Sequence, residues 1–429
     1  MALRRVVIVG GGFAGIEAAL ALAHTPASVT LVDKQNHHCF QPLLYQVATA
    51  ALSPADIAWP IRSILNRQPN LRVVMAKVTG VDTKANIVHT DQIDLPYDDL
   101  VLASGVTHAY FGHDEWAEFA PGLKRIEDAR HIRERFLAAF EHAEVASDPQ
   151  LRRKLLTFVV VGGGPTGVEM AGAMAEVAKE TLKLDFRQID PRASRIVLIE
   201  AGPRILATFP DNLSNYAQRS LEKMGVEVMT DTRVTGCDAD GVTLADARID
   251  ASTIVWAAGV VASPAAQWIN ADHDRAGRII VEPDLSVPGL PHVFVAGDLA
   301  SVKTADGKPV PGIAPAAKQM GRYIGQLIAA RDAGKTDNKP FVYKHAGDLA
   351  TIGRRAAVVK LGRVELTGFI GWLFWSIAHV YFLIGLRNRF VVAVTWMWSY
   401  LTFRRGARLI STREVHAAVI PNDKTSQKL

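Results

Sequence analysis

The sequence is poor in the residues that build metal centres and disulfide frameworks. Among 429 residues there are two cysteines, Cys39 and Cys237, and the 13 histidines form no cluster. A structural zinc site needs about four thiolate or imidazole ligands, and a disulfide framework needs several cysteine pairs. We therefore expect no metal site, and a reducing compartment in which free thiols persist.

Excess charge of one sign is also absent from most of the chain. The formal net charge of +5 arises from Lys360 onward, where ten Lys or Arg residues accompany three Asp or Glu. The preceding 359 residues carry 38 basic and 40 acidic side chains. A basic tail on an otherwise balanced chain indicates an anionic neighbour for that tail.

The N-terminus lacks the uninterrupted apolar run of a secretory signal. Arg4 and Arg5 precede apolar residues, as in such signals, but Gly10, Gly12 and Gly15 break the run and no small-residue cleavage site follows. The pattern predicts a buried first β-strand instead. We expect the protein to remain in the cytoplasm.

A repeated module organises the first three hundred residues. In the first copy an apolar strand leads into the glycine-rich stretch 10–15, a helix, and a second strand that ends at Asp33. In the second copy the same order runs through 162–167 to Glu200. Apolar runs of this kind are typical of parallel strands that are buried on both faces.

The spacing of further landmarks supports two copies. Gly10 and Gly162 are 152 residues apart, and Gly105 and Gly259, which each follow another apolar strand, are 154 residues apart. The main irregularity is a predicted inserted loop at 181–193.

Each glycine of the first fingerprint has a chemical task. Gly10 permits a tight turn, Gly12 lets a pyrophosphate approach the backbone, and Gly15 lets helix and strand pack closely. The N–H groups of the helix N-terminus bind phosphate, and Asp33 is placed to accept hydrogen bonds from ribose hydroxyls. The alternative, a glycine-rich turn without a ligand, is disfavoured by the strand, helix and acid together.

The second fingerprint consists of Gly162, Gly164 and Gly167 with Glu200. The acid follows the first glycine by 38 residues, where about 20 is usual. Its charge would repel a 2′-phosphate, which favours NADH over NADPH. Arg204 lies close in sequence and could soften that preference, or could be an ordinary surface or ion-pair residue.

A third element assigns the two cofactors. The apolar strand 293–296 ends in Gly297-Asp298 and resembles the ribitol-binding motif of the two-dinucleotide-fold flavoprotein reductases. In that family the first fingerprint binds FAD, an inserted second copy binds NAD(P)H, and the chain returns to the FAD domain at this strand. The resemblance covers residue 3 to about residue 330.

The resemblance implies an α/β fold with two Rossmann-like dinucleotide-binding domains and a C-terminal helical membrane-anchoring region. It places the FAD-binding domain at 1–120 and 266–345, the NADH-binding domain at 121–265, and the membrane-association region at 346–429. The residues implied at the sites for non-covalent FAD and NADH are Gly10, Gly12, Phe13, Ala14, Gly15, Asp33, Lys34, Val78, Ser104, Gly105, Gly162, Gly164, Gly167, Glu200, Ala258, Gly259, Gly297, Asp298 and Gln319.

The lack of a cysteine pair narrows the choice among these reductases. A disulfide reductase needs two cysteines facing the flavin, and sulfide:quinone reductases also need a pair, whereas Cys39 stands alone. The stretch from Phe40 to Ala48 reads Phe-Gln-Pro-Leu-Leu-Tyr-Gln-Val-Ala. It resembles the Phe-x-Pro-Leu-Leu-x-x-Val-Ala stretch of type II NADH dehydrogenases, the single-subunit NADH:quinone oxidoreductases.

This second resemblance implies three catalytic candidates. That family commonly shows Ala-Gln-x-Ala-x-Gln-x-Gly at the quinone-facing edge of the flavin, and here Gln319 is kept beside Lys318, while Pro315 replaces the earlier glutamine. Glu169 occupies the position of a carboxylate that positions the nicotinamide or relays a proton. The alternatives are a hydrogen-bonded helix residue for Gln319 and an ordinary first-turn acid for Glu169.

The tail carries two uncharged runs, 366–386 and 390–403. In the second run Thr395, Ser399 and Thr402 form a polar stripe, and arginines at 404, 405 and 408 follow. Such a helix is typical of a membrane interface with anionic headgroups. A transmembrane span at 366–386, or a buried core helix with a dimer contact, is the alternative.

Together the resemblances imply a non-proton-pumping NADH:quinone oxidoreductase of the respiratory chain, peripheral or monotopic at the cytoplasmic face of the inner (plasma) membrane. The expected partners are a membrane quinone and an anionic membrane surface, without nucleic acid, and a homodimer is left open. One alternative is a soluble NADH-dependent reductase of a ferredoxin- or rubredoxin-like carrier. Another is a redox-sensing or scaffolding flavoprotein with little turnover.

Overall fold

The computed structural model describes residues 3–304, 306–335, 339–402 and 405–410. These residues form two compact units. The first unit draws on Met1–Cys39, Ala58–Thr107 and Val260–Ala346, and the second unit on Phe40–Ile57, His108–Gly259 and Gly347–Leu429. Each unit therefore contains one of the two glycine-rich fingerprints.

The secondary structure of the described residues alternates strands and helices through most of the chain. The strands are β1 (Arg5–Val9), β2 (Ser28–Asp33), β3 (His37–Cys39), β4 (Ala58–Pro60), β5 (Leu71–Met75), β6 (Val78–Asp82), β7 (Ile87–Thr90), β8 (Asp94–Pro96), β9 (Asp99–Leu102), β10 (Val106–His108), β11 (Thr157–Val161), β12 (Arg195–Ile199), β13 (Val226–Met229), β14 (Val234–Asp238), β15 (Gly241–Leu244), β16 (Arg248–Asp250), β17 (Thr253–Trp256), β18 (Val260–Ala262), β19 (Ile279–Ile280), β20 (Ser286–Val287), β21 (Leu290–Val295), β22 (Ala300–Ser301), β23 (Asp348–Thr351), β24 (Ala357–Leu361) and β25 (Val364–Thr367). The α-helices are α1 (Phe13–Ala21), α2 (Leu44–Ala48), α3 (Pro54–Ile57), α4 (Ile61–Ile64), α5 (Ile126–Val145), α6 (Pro149–Leu155), α7 (Pro165–Glu176), α8 (Asp211–Lys223), α9 (Ala265–Trp268), α10 (Ala314–Asp332), α11 (Gly368–Phe382) and α12 (Leu386–Thr402).

The first unit is built on a six-stranded sheet in the order β20-β21-β9-β1-β2-β5. Its central strand β1 pairs in parallel with both β2 and β9, and its apolar residues are buried, as expected for a strand covered on both faces. Helix α10 packs closely along α1, since Gly325 brings its backbone against Ala18 and Ala21. A Cβ at Gly325 would lie 2.6 Å from the Cβ of Ala21.

The second unit repeats this arrangement in a parallel sheet of order β13-β12-β11-β17. The registers correspond: Val9 pairs with Val32 in the first sheet, and Val161 pairs with Ile199 in the second. In both sheets the glycine-rich loop therefore leaves a central strand at its carboxyl end. The predicted α/β fold with two Rossmann-like sheets is confirmed.

The C-terminal part of the second unit contains a sheet that the sequence analysis did not predict. Strands β23, β24 and β25 form an antiparallel meander, and helices α11 and α12 follow it. The uncharged run 366–386 is thus divided between β25, α11 and the turn before α12. Among the described residues, no helix combines the length and apolar character needed to cross a membrane.

Candidate functional site

The first glycine-rich loop has the shape of a phosphate cradle. Gly10 has φ +107°, a conformation that favours glycine, and a Cβ at Gly15 would collide with the carbonyl oxygen of Gly10. A Cβ at Gly12 would meet nothing within 4 Å, so open space lies beside that backbone. No side chain caps the N-terminus of α1, which leaves its first N–H groups available to a phosphate.

Asp33, the last residue of β2, is hydrogen-bonded to this loop. Its carboxylate oxygens accept hydrogen bonds from the backbone N–H of Gly11 at 2.6 Å and of Gln35 at 2.7 Å. Each carboxylate oxygen has further lone-pair sites. The acid is therefore fixed in place and can still accept ribose hydroxyls, as the FAD site requires.

The second loop reproduces the cradle glycine by glycine. Gly162 has φ +110°, a Cβ at Gly167 would collide with the carbonyl oxygen of Gly162, and a Cβ at Gly164 would meet nothing within 4 Å. No side chain caps the N-terminus of α7. Both loops consequently fit the pyrophosphate of a dinucleotide.

Glu200 occupies the place of Asp33 in the second copy. It accepts the backbone N–H of Gly163 at 2.6 Å and of Gly202 at 2.7 Å. The guanidinium of Arg204 instead donates to the carbonyl oxygens of nearby loop residues at 3.0 Å. Arg204 therefore has a structural role in this loop, and its guanidinium is not directed at a 2′-phosphate position.

The turns that follow the next strand of each sheet also correspond. Gly105 has φ +68° and Gly259 has φ +153°. The Ser104 hydroxyl shares a hydrogen bond of 2.7 Å with Ser263, and Ala258 is half-buried in the second unit. In parallel sheets of this type, ligands lie over the carboxyl ends of the strands, which is where these turns are found.

The remaining residues implied at the FAD site all belong to the first unit. Ala14 is buried, with Gly297 close to its side chain. Asp298 follows Gly297 in a short 3₁₀ turn, Val78 begins β6, and Lys34 follows β2 directly.

His38 is a residue beside the first cradle that the sequence analysis missed. Its Nδ1 lies 2.9 Å from the carbonyl oxygen of Gly11, so Nδ1 carries the proton of that hydrogen bond. Phe13 stands edge-on to the imidazole, with ring centroids 4.8 Å apart. Burial lowers the pKa of His38 to about 4, so the ring is neutral and stabilises the loop. The doubled histidine just after Asp33 was the available signal.

The candidates on α10 make contacts inside the first unit. Lys318 lies 3.4 Å from the carboxylate of Glu17, which Arg322 also approaches at 2.8 Å. The Gln319 amide pairs with the backbone of Lys344, donating to its carbonyl at 2.8 Å and accepting its N–H at 2.9 Å. In this conformation both ends of the Gln319 amide are engaged.

Glu169 lies in the second unit, in the first half of α7, and its side chain is buried. The backbone N–H of Thr351 donates to it at a long 3.4 Å. Burial raises the pKa of Glu169 to about 8, against smaller lowering effects of Thr351 and the Trp375 side chain. The carboxyl therefore holds its proton at neutral pH.

Thr351 and Trp375, the two neighbours of Glu169, also line a cavity of about 70 Å³ within the second unit. Helices α2, α7, α11 and α12 and the strand end at Thr351 contribute its lining residues. The indole of Trp396 donates to the Gln46 amide oxygen at 2.7 Å, and the Gln46 amide donates to the Tyr45 hydroxyl at 2.9 Å. The stretch 40–48, which resembles that of the type II NADH dehydrogenases, thus contributes the polar residues Tyr45 and Gln46 to this cavity.

Three arginines also belong to this part of the second unit. Arg405, at the cavity, donates to the carbonyl oxygen of Thr49 at 2.9 Å and pairs with Glu176 at 3.3 Å. Arg354 lies over the ring of Tyr400, 4.8 Å from its centroid, and Arg408 pairs with Asp185. Arg404 and Phe403 lie outside the described residues.

Comparison with known proteins gives concordant matches along the chain. The family model described as pyridine nucleotide-disulphide oxidoreductase matches residues 4–321, and the model of the NDH2 C-terminal domain matches residues 345–405. The type II NADH:quinone oxidoreductase Ndh of Mycobacterium tuberculosis is 44% identical, covering 96% of this chain and 91% of that protein. The NdhA protein of the same organism, which bears the same description, is 45% identical over 97% and 91%.

The fold is shared with a solved structure of lower sequence identity. The structure of NDH2 from Plasmodium falciparum in complex with NADH superposes with a TM-score of 0.87. It is 21% identical to this chain, with 96% of this chain and 100% of that one covered.

Proposed function

This chain belongs to the type II NADH:quinone oxidoreductases, within the pyridine nucleotide-disulphide oxidoreductase family, and from that premise we propose that it oxidises NADH with FAD and reduces a membrane quinone. The observation that carries the proposal is the pair of matched cradles, one in each unit, each closed by a carboxylate that is fixed by backbone N–H groups. FAD, when bound, accepts a hydride from NADH and passes two electrons to the quinone.

In this proposal the residues of the first unit bind FAD and those of the second unit bind NADH. Gly10, Gly12 and Gly15 hold the FAD pyrophosphate, and Asp33 holds a ribose of the same cofactor. The corresponding glycines of the second loop hold NADH, and Glu200 binds its adenosine ribose while repelling a 2′-phosphate. The implied contacts of the first unit complete the FAD site: Phe13, Ala14, Lys34, Val78, Ser104, Gly105, Gly297 and Asp298. Ala258 and Gly259 belong to the NADH site in the second unit.

Protons are supplied by buried neutral acids in this proposal. Reduction of a quinone to a quinol by NADH takes up one proton, because the hydride of NADH supplies the other of the two hydrogens. Glu169 retains its proton up to a pH of about 8 and can supply that one proton. Burial, reinforced by Glu169, also raises the pKa of the Tyr45 hydroxyl. Both groups are therefore protonated at neutral pH, and Glu169 is the proposed proton donor.

The cavity beside Glu169 is the proposed passage for the quinone. Trp372, Trp375 and Trp396 contribute indole rings to its wall, and such rings fit a planar ligand. Lys318 and Gln319 remain candidates for contact with the quinone head. For that role the Gln319 amide would exchange its bonds with Lys344 for bonds with a quinone oxygen.

An exposed apolar surface on α11 and α12 is the proposed membrane contact, and we name it the helical apolar face. Its exposed side chains are Phe369, Ile370, Leu373, Phe374, Ile377, Tyr381, Phe382, Leu386, Phe390, Val394, Met397, Trp398 and Leu401. The predicted polar stripe of Thr395, Ser399 and Thr402 is partly buried, away from this face. Such a face fits the acyl boundary of one leaflet better than water.

Charge near this face favours an anionic leaflet at the cytoplasmic side of the plasma membrane. Arg387 is exposed in the first turn of α12, and a cation at the surface adds about 1 kcal/mol of attraction to anionic lipid. We propose peripheral attachment through this face, and no contact with nucleic acid. A homodimer formed through the same face is the competing occupant.

Stopped-flow absorbance tests the electron path directly. The purified holoprotein should lose its flavin absorbance on addition of NADH without oxygen and regain it on addition of a short-chain ubiquinone. Reoxidation by a ferredoxin or rubredoxin but not by the quinone would contradict the proposal. Slow reduction by NADH despite full FAD content would indicate the redox-sensing alternative.

Vesicle flotation tests the helical apolar face. Replacing Trp398 and Leu401 by serine should weaken binding to anionic vesicles by about tenfold or more, because each buried apolar side chain contributes roughly 1.5–3 kcal/mol. Val145→Ser, at an exposed position on α5, is the matched control and should bind as the wild type does. Unchanged vesicle binding together with a dimer-to-monomer change would assign this face to a homodimer.

A further inference from the structure

Phe111 combines a strained backbone with an exposed aromatic ring. Its side chain is 70% exposed, its φ is +55°, and Gly112 follows with φ +96°. A bulky residue with positive φ is an outlier, and such strain persists mainly where the surrounding structure or a function requires it. The His113 N–H donates to the Tyr110 carbonyl at 3.1 Å, so a β-turn accounts for the two positive φ values. Neither that turn nor burial of the ring explains why a phenylalanine stands at this position.

The ring of Phe111 lies on Gly259 within the second unit. A Cβ at Gly259 would come within 2.7 Å of the Phe111 Cζ. The absence of a side chain at Gly259 therefore allows the Phe111 ring to pack against the backbone there. Two hydrogen bonds hold the loop: the Ala109 N–H donates to the Gly259 carbonyl at 3.2 Å, and the Trp256 indole donates to the Ala109 carbonyl at 2.9 Å. The backbone is anchored, and the ring packs against Gly259 and Trp256 on one side while most of the side chain stays exposed.

Strand order identifies which part of a dinucleotide would meet this ring. In the sequence β13-β12-β11-β17, Glu200 follows β12, the glycine cradle follows β11, and Gly259 lies three residues beyond the end of β17. A dinucleotide on the carboxyl edge of such a sheet places its pyrophosphate at the cradle and its two nucleosides on opposite sides. The adenosine therefore lies toward Glu200, and the nicotinamide riboside toward Gly259 and Phe111.

We propose that Phe111 is a binding residue for the nicotinamide half of NADH, forming an aromatic wall that packs on the nicotinamide riboside. This inference rests on the proposed NADH-oxidising function. The ring lies on Gly259, at the part of the sheet edge that the nicotinamide riboside would approach. The positive φ places the ring on Gly259 and beside Trp256, with ring centroids 6.4 Å apart, at the border of the aromatic cluster of Tyr110, Trp116 and Trp256.

Equilibrium titration with NADH and with AMP separates this role from a structural one, in FAD-loaded protein whose flavin has first been reduced with dithionite so that NADH binds without being oxidised. Phe111→Ala should weaken NADH binding about three- to tenfold, the value of one aromatic contact, while AMP, which has only the adenosine half, binds as in the wild type. Phe111→Trp keeps a ring and should retain NADH affinity. Val145→Ala, another exposed apolar residue of the same unit, is the matched control.

Two results would overturn the inference while leaving the proposed function intact. Wild-type NADH affinity in Phe111→Ala would show that the ring makes no contact with the cofactor. Equal loss of NADH and AMP affinity would show a general effect on the fold of the second unit. A wild-type protein whose FAD is not reduced by NADH would instead contradict the proposed function, and the inference with it.

Discussion

Glu17 and Glu169 occupy the same position in the two copies of the module, two residues after the third glycine of each fingerprint. Glu17 accepts cationic partners from α10, with Lys318 at 3.4 Å and Arg322 at 2.8 Å. Glu169 is buried without a cation within salt-bridge distance in the described residues, and its pKa rises to about 8. The same motif position thus carries a paired carboxylate in one unit and a neutral acid in the other.

The difference originates outside the motif. Helix α1 is covered by α10, which supplies the two cations, whereas the neighbourhood of α7 includes β23 and α11, which supply a backbone N–H and an indole. A charged group in an apolar environment without a counter-charge shifts toward its neutral form. The fingerprint therefore determines the backbone of the cradle, and residues distant in sequence determine its electrostatics.

The largest expected difference between the two copies follows from replacing Gly12 or Gly164, the middle glycine of each cradle, by alanine. Gly12 and Gly164 have φ values of −75° and −71°, which alanine adopts without strain, and their Cβ positions are open. The added methyl would occupy the space of a pyrophosphate, at a cost of about 1–3 kcal/mol. Gly12→Ala should purify with little FAD and lose turnover, whereas Gly164→Ala should keep FAD and bind NADH about tenfold to hundredfold more weakly.

Flavin absorbance per protein and an NADH titration measure these outcomes, with thermal unfolding as the control for fold. Gly164→Ala should unfold near the wild-type temperature, because nothing in the protein meets the new methyl group. Gly12→Ala should unfold near the temperature of wild-type protein stripped of FAD, because bound FAD itself stabilises the fold. Loss of FAD from Gly164→Ala, with Gly12→Ala unaffected, would reverse the assignment of the cofactors to the copies.

Local sequence patterns predict most of the fold but only part of the candidate site. The cradles could be predicted because glycine spacing, strand and acid all lie within about 40 residues, and each contributes through backbone geometry. The sheet β23–β25 was not predicted, since its short strands follow no marked alternation. The protonated state of Glu169 results from its burial, which outweighs the opposite effects of Thr351 and Trp375, and the Gln46–Trp396 hydrogen bond joins residues 350 positions apart. Single-sequence patterns contain no signal for such contacts.

Glu169→Gln should expose the functional difference between the paired and the neutral acid. Removing a proton donor typically lowers kcat by about a hundredfold or more. Wild-type kcat should fall above a pH of about 8, where Glu169 ionises, and the Gln variant should lack that inflection. The matched variant Glu17→Gln should keep that inflection, which belongs to Glu169, and lose about 1 kcal/mol of stability with its partly exposed cationic partners.

The same buried acid gives stability a defined pH dependence. The folded chain holds the Glu169 proton more tightly than the unfolded chain, whose pKa is near 4.5. This contribution is fully present below pH 4.5 and is lost as pH rises toward about 8, at roughly 1.4 kcal/mol per pH unit. Urea unfolding of wild type and Glu169→Gln across this range should show the slope only in the wild type, and parallel curves would contradict a raised pKa.

The smallest expected effect concerns the two acids that close the cradles. A hydrogen bond to a charged group contributes about 1.5–3 kcal/mol, so Glu200→Gln should weaken NADH binding about tenfold while removing the repulsion of a 2′-phosphate. The ratio of kcat/KM for NADPH to that for NADH should therefore rise. Asp33→Asn should lower FAD affinity and leave that ratio unchanged, because Asp33 belongs to the other cradle.

Arg204 sharpens the interpretation of this last comparison. Its guanidinium already donates to the loop carbonyls of Ala207 and Phe209, so it is not positioned by default to bind a 2′-phosphate when Glu200 is neutralised. Glu200→Gln combined with Arg204→Ala should consequently give the same NADPH-to-NADH ratio as Glu200→Gln alone, in steady-state assays. A ratio that collapses in the double variant would show that Arg204 turns toward the cofactor, and that the acid and the arginine together set the preference.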